Sequence, residues 1–277
     1  MSEADPLLET ITPILAGVPG VAAVVLGGSR ARGMASEVSD YDIGLYFRRD
    51  APLDIEALAR ALAPVVDDPP DAAVTPIGEW GPWIVGGAWL RVGGRKVDLL
   101  YRQIEAVEAV IADARAGRIT MHYQPGHPHG FCSAHWMGKA ALCRPLADPA
   151  GAVAALKART SPYPAPLRAA LLSKFQWEIG FAIDNAELAA RRGEQTHVAG
   201  CAYRALACLG QVLFALNQRY LNNEKGALAE AAGFPRAPAD LPGRVEAIWR
   251  AIGQGDFARA LDGVRGLEAD ARALADA

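Results

Sequence analysis

Two carboxylates, Asp40 and Asp42, open the apolar stretch Tyr41-Asp42-Ile43-Gly44-Leu45-Tyr46-Phe47, a short spacer after the turn Gly27-Gly28-Ser29. Side chains two apart on a strand share a face. Asp40 and Asp42 therefore point one way, and Tyr41 and Ile43 the other. Paired carboxylates repel unless a cation lies between them. Mg²⁺ fits this role, because it takes one or two carboxylates and completes its shell with phosphate oxygens. The Gly28-Ser29 turn can offer backbone N–H groups to those phosphates without side-chain obstruction. Asp98 is a third acid, inside Arg95-Lys96-Val97-Asp98-Leu99-Leu100-Tyr101. An Asp within such an apolar run costs several kcal/mol when buried without compensation, and a metal or hydrogen-bond donors supply that compensation. Three carboxylates on neighbouring strands suit a phosphoryl or nucleotidyl transfer that uses two metal ions.

The elements that must position these residues are readable in the chain. The Val/Ala/Leu run over 21–27 predicts a strand buried on both faces, ended by Gly27 and Gly28. Residues 41–47 predict a second strand, and 29–32 the start of a helical turn between the two. Further strands are expected over 73–77, 83–92 and 96–101, the last two joined by a Gly93-Gly94 hairpin. Residues 118–123 allow one more short strand. Amphipathic or capped helices are expected over 5–17, with Asp5 as N-cap, over 54–66, and over 103–116 ended by Gly117. After Gln124 the strand pattern gives way to an alanine-rich helical one, with helices over 131–142, 149–158, 165–192, 196–222, 224–232, 242–253 and 256–275. The expectation is an α+β chain. A mixed sheet flanked by helices occupies 1–125, and an α-helical bundle occupies 126–277.

The whole-chain figures narrow the function classes. A length of 277 residues allows two domains, and 51% hydrophobic content is that of a globular protein. A net charge of -3 argues against a broad nucleic-acid surface, which is normally basic. The four cysteines contain no C-x-x-C pair and are read as reduced core residues. No signal-peptide pattern opens the chain and no apolar run approaches ~18–20 residues, so no membrane span and a cytoplasmic location are expected.

The Gly27-Gly28-Ser29-Arg30-Ala31-Arg32-Gly33 segment, then Ser39-Asp40-Tyr41-Asp42, then an isolated strand Asp98, resembles the nucleotidyltransferase superfamily of DNA polymerase beta type. The motifs look most like its small-molecule branch, which includes aminoglycoside and lincosamide nucleotidyltransferases. The resemblance covers roughly residues 20–101, and the helical half matches by architecture only. It implies that Asp40 and Asp42 bind Mg²⁺ and that Asp98 is a third ligand or general base. It also implies that Gly28 and Ser29 hold the β and γ phosphates of ATP or another nucleoside triphosphate. Tyr41 departs from the aliphatic or small residue common in the family and should not disturb the metal. Arg30 and Arg32 are phosphate contacts or surface residues. Lys225, in Tyr220-Leu221-Asn222-Asn223-Glu224-Lys225-Gly226, is the helical half's candidate for the triphosphate, with Asn223 as a helix N-cap.

The implied function is Mg²⁺-dependent transfer of a nucleoside monophosphate to a hydroxyl of a small molecule such as an antibiotic. The acceptor is expected between the domains. A protein-modifying AMP transferase and a nucleotide-binding regulator with a silent site are the alternatives. The loop Gly126-His127-Pro128-His129-Gly130 with His135 lacks the ligands for a zinc site, and is read as solvated or as lining an acceptor pocket. Glu79 with Trp80 and Trp83 is read as a loop with packing tryptophans, the alternative being an acceptor-side base. Tyr203, Trp177 and Phe181 are read as bundle core.

Overall fold

The computed structural model describes residues 5–68 and 73–276. It contains, in chain order, α1 (Pro6–Ala16), β1 (Ala23–Leu26), α2 (Gly28–Ala31), β2 (Tyr41–Phe47), α3 (Ile55–Leu62), β3 (Gly87–Val92), β4 (Arg95–Gln103) and α4 (Ile104–Arg115). Then follow β5 (Met121–His122), β6 (Phe131–Cys132), α5 (Ala134–Leu142), β7 (Arg144–Ala147) and α6 (Ala152–Ala158). Five further helices complete the chain: α7 (Ala165–Ala190), α8 (Gln195–Leu216), α9 (Ala227–Ala231), α10 (Leu241–Gly253) and α11 (Phe257–Asp276). The fold is α+β, as the sequence predicts.

The chain packs as two compact units. One comprises Met1–Ala112 with Trp136–Pro162, and the other Asp113–His135 with Tyr163–Ala277. A single cut near residue 125 therefore does not describe the packing, because residues 136–162 belong with the first unit. The reason is β7, which the sequence reading missed. It is a four-residue strand with a proline, flanked by helical segments, and it pairs antiparallel with β1.

The first unit is built on a five-stranded mixed sheet in the order β3-β4-β2-β1-β7. The β2–β4 pair is parallel, and the β1–β2, β3–β4 and β1–β7 pairs are antiparallel. Alternation along each strand sends Val24, Leu26, Ile43, Leu45, Val97 and Leu99 to one face, where they are fully buried with Leu58 and Leu62 of α3 and Ile11 and Leu15 of α1. Burial of each such side chain contributes on the order of 1.5–3 kcal/mol. The opposite face carries the chemistry. α1 starts where expected, because the Asp5 carboxylate accepts from Leu7 N and Leu8 N. The Gly93-Gly94 hairpin has both glycines at positive φ, as a two-residue turn requires. Residues 73–77 form no strand. Thr75 N donates to Gly87 O (3.0 Å) and Gly78 N to Val85 O, isolated contacts that make no strand.

The second unit is centred on the long antiparallel pair α7 and α8. By length and composition α8 could cross a membrane, but 67% of its most apolar stretch is buried inside the protein, and it is a core helix. The apolar run is longer than the sequence reading allowed, because Arg204 interrupts it without ending it. Buried Glu178 of α7 is held by an ion pair to that Arg204. Trp177 and Phe181 are not core, contrary to expectation. They stack on each other on the outer side of α7, 64% and 54% exposed, while Leu171, Phe175 and Ile183 take the inner side. Asn223 does not cap a helix either. α9 starts at Ala227 after Gly226, whose left-handed conformation makes the turn.

Candidate active site

The turn after β1 is bound to β2 at the second aspartate, with Gly27 N donating to Asp42 O (2.7 Å). Gly28 has a φ of +59°, and a Cβ on it would land on the Asp42 carboxylate. The carboxylate therefore lies directly against the bare Cα of the turn, and only glycine permits that approach. On its other side, Asp42 is opposite Asp98 in the parallel register of β2 and β4. The two carboxylates are thus neighbours across one strand spacing, on the face away from the core.

Asp98 is half-buried beside like charges. Its carboxyl is pushed up to about 6, first by burial and then by the charges of Asp42 and Asp40, with Lys96 pulling the other way. The structure therefore brings all three predicted acids into one electrostatic group. Among the described residues, however, no three His, Cys, Asp or Glu side chains form a ready-made metal cage. Mg²⁺ needs no such cage, because substrate phosphates and water fill much of its shell. The mutual repulsion that raises Asp98 is what a divalent cation would relieve, and on that ground these residues fit the ion.

The raised carboxyl makes stability depend on pH. Folded Asp98 holds its proton more tightly than an ordinary Asp, so its contribution is complete below about pH 4 and is lost as pH rises through about 6. In metal-free buffer, Asp98→Asn is expected to be more stable than the parent at pH 7.5, by about 1–2 kcal/mol after allowance for solvent screening. Below pH 4 the two should coincide. Urea unfolding at both pH values measures the difference, and an equal gap at both would contradict the assigned environment.

Arg30 is tied into the loop that precedes β2. Its Nη2 donates to Ser39 O (2.6 Å) and its Nε to Asp40 O (3.3 Å), while its guanidinium lies 3.8 Å over the Tyr41 ring. It braces the loop that delivers Asp40. Tyr41 points to the core face and donates to Asp5 Oδ2 (2.9 Å), so this departure from the family pattern leaves the acid face untouched. Arg32 follows α2 as its C-cap, half-buried. Lys225 is exposed in the second unit, ahead of α9.

The histidine segment is not a solvated loop. His129 is 4% exposed and His135 2%. The Gln211 amide donates to His135 Nε2 (3.1 Å), and His127 Nδ1 lies 3.3 Å from Glu224 Oε2. Burial, with the Arg204 charge adding to it, holds His129 down to about 4, so its imidazole is neutral at pH 7. Trp83 packs as expected, edge-on against Trp136 at 5.3 Å.

A cleft of about 340 Å³ opens on the acid face, lined by Asp40, Asp98, Lys96, Arg91 and Trp89 among others. The sequence reading singled out neither Lys96 nor Trp89. The signal was present in the alternation Gly87-Ala88-Trp89-Leu90-Arg91, which puts Trp89 on the face of Gly87 and Arg91, opposite buried Ala88 and Leu90.

Residues 10–114, the span that carries all three acids, match the nucleotidyltransferase domain family. Residues 139–225 match a domain of unknown function, DUF4037. No curated protein matches the chain. Among solved structures, a nucleotidyltransferase-like protein from Exiguobacterium sibiricum 255-15 is similar over 94% of this chain and 72% of its own, at 13% identity and a TM-score of 0.40.

Proposed function

We propose that this chain, whose residues 10–114 match the nucleotidyltransferase domain, moves a nucleoside monophosphate, AMP from ATP, to a hydroxyl of a small molecule. The observation that carries the reading is the in-register pair Asp42 and Asp98, with the Asp42 carboxylate seated against Gly28. In this reading Asp40, Asp42 and Asp98 hold Mg²⁺, which when bound neutralises phosphate charge and stabilises the leaving pyrophosphate. Backbone N–H groups of Gly28 and Ser29 bind the β and γ phosphates, and Arg32 adds positive charge to them. The acceptor oxygen forms a bond to the α-phosphorus, and the bond from that phosphorus to the bridging oxygen breaks. The Asp98 carboxylate takes the hydroxyl proton. The rest is positioning and charge neutralisation.

The test is pyrophosphate release from ATP in Mg²⁺ across a panel of hydroxyl compounds, with mass spectrometry of the product. An adduct heavier than the acceptor by one adenylyl group (AMP less water), whose formation stops on adding EDTA, is expected. ATP binding without release across the panel would instead favour a silent nucleotide-binding domain.

A further inference from the structure

We infer that Trp89, stacked on Trp80, is the platform for the acceptor, and that the acceptor presents a flat ring face to it. The inference rests on the nucleotidyl-transfer reading above. Trp89 pairs with Asp98 in the antiparallel register of β3 and β4, and Asp98 pairs with Asp42 in the parallel register of β4 and β2. The three side chains thus form one row across the sheet. Beyond Asp42 comes the Gly28 turn at the end of β1. The row begins at the phosphate turn, passes the two carboxylates and ends at an indole. With strands about 4.8 Å apart, Trp89 is roughly 10 Å from Asp42 on the side away from the phosphates. It stands directly beside Asp98, the carboxylate that would receive the acceptor's proton.

The indole is prepared for a partner. Trp89 is 68% exposed, yet it is fixed, its ring stacked on Trp80 with centroids 4.4 Å apart and an 18° interplanar angle. Trp80 can lie there because Gly87, two residues before Trp89 on the same face, has no side chain. A Cβ on Gly87 would fall 1.9 Å from Leu99 O of β4 and 3.0 Å from the Trp80 ring, so the bare Cα serves the β3–β4 approach as well as the stack. A large exposed aromatic held rigid at the floor of a cleft gives contact area at little cost in conformational entropy. Asp98 and Lys96 share that cleft. Flat faces that stack on indole belong either to aromatic rings or to the C–H faces of sugar and cyclitol rings.

The test uses the full-length ¹⁵N-labelled protein and three probes: phenol, methyl β-glucopyranoside and glycerol. The Trp89 indole N–H resonance is assigned by its loss in Trp89→Phe. A shift of this resonance by phenol or by the glucoside, and none by glycerol, is expected, and the probe that acts identifies the ring type. Trp89→Ala, followed through the Trp80 indole, should weaken binding of the active probe about tenfold, and Trp89→Phe should keep it within about threefold. The dissociation constant of ATP with Mg²⁺, from calorimetry, should stay within about twofold of the parent in both variants. Absence of a shift with both ring probes overturns the inference. So does loss of ATP binding in Trp89→Ala, which would put the donor's base on the indole. If ATP and Mg²⁺ fail to bind the parent protein, the nucleotidyl-transfer reading fails, while a ring-specific shift at Trp89 would stand alone.

Discussion

Asp42→Asn is expected to lower Mg²⁺-dependent pyrophosphate release by at least about 10³-fold while leaving the protein folded. Asp42 lies against the Gly28 turn on one side and is in register with Asp98 on the other. Asn keeps the shape and removes the charge. The side chain lies on the face away from the sheet's apolar core, so the core is undisturbed. The substitution also removes one of the charges that raise Asp98. The Asp98 carboxyl should therefore titrate lower in the variant, which carboxyl NMR can follow. Undiminished turnover would remove Asp42 from the chemistry, whatever happened to Asp98.

Gly28→Ala is the second large effect. It combines two faults: φ is +59°, where a side chain costs about 1–2 kcal/mol, and the new Cβ falls onto the Asp42 carboxylate. The carboxylate must move, and a misplacement on the order of 1 Å can cost about 10²-fold in rate. Gly33→Ala separates the two faults. Gly33 has a φ of +68° but nothing within 4 Å of a Cβ, so it carries the backbone strain alone. Both variants should lose stability, and Gly28→Ala alone should lose most of the rate. Comparable rates in the two variants, measured by pyrophosphate release with unfolding midpoints alongside, would mean that the Asp42 contact with the turn has no part in transfer.

The exposed stack on the edge strand bears on how the site divides its labour. If the row from Gly28 to Trp89 operates as described, donor and acceptor are ordered along one line of a single sheet. The spacing of strands then fixes the distance between phosphate and receiving hydroxyl. The acceptor can vary by changes at residues 80 and 89, whereas Gly87 is held to glycine by the Leu99 backbone beside Asp98.

Local chemistry in the chain was sufficient for much of this site. Period-two alternation put Asp42 on the acid face of β2, whose bounds match those read from the sequence, with Asp40 in the loop just ahead of it. Asp5 announced α1, and Gly93-Gly94 announced the β3–β4 hairpin. Gly27-Gly28-Ser29 announced the turn into α2. These signals need only neighbours in sequence, because strand alternation, caps and turn conformations are set within a few residues. What pairs with what is not local. The parallel register that puts Asp98 beside Asp42 joins segments separated by a helix and another strand, and no motif in either segment states it. The same holds for β7, too short to show a period and placed only by its ladder with β1. Arg30 became a brace and His129 a buried neutral ring through contacts that chain order does not display. The opening turn and the Asp42 carboxylate on the face of β2 were legible as local features. The tertiary structure decided that Asp42 packs onto the bare Gly28, that Asp98 is raised by burial and by the neighbouring acids, and that the row ends in Trp89, because register and packing are settled between strands rather than along them.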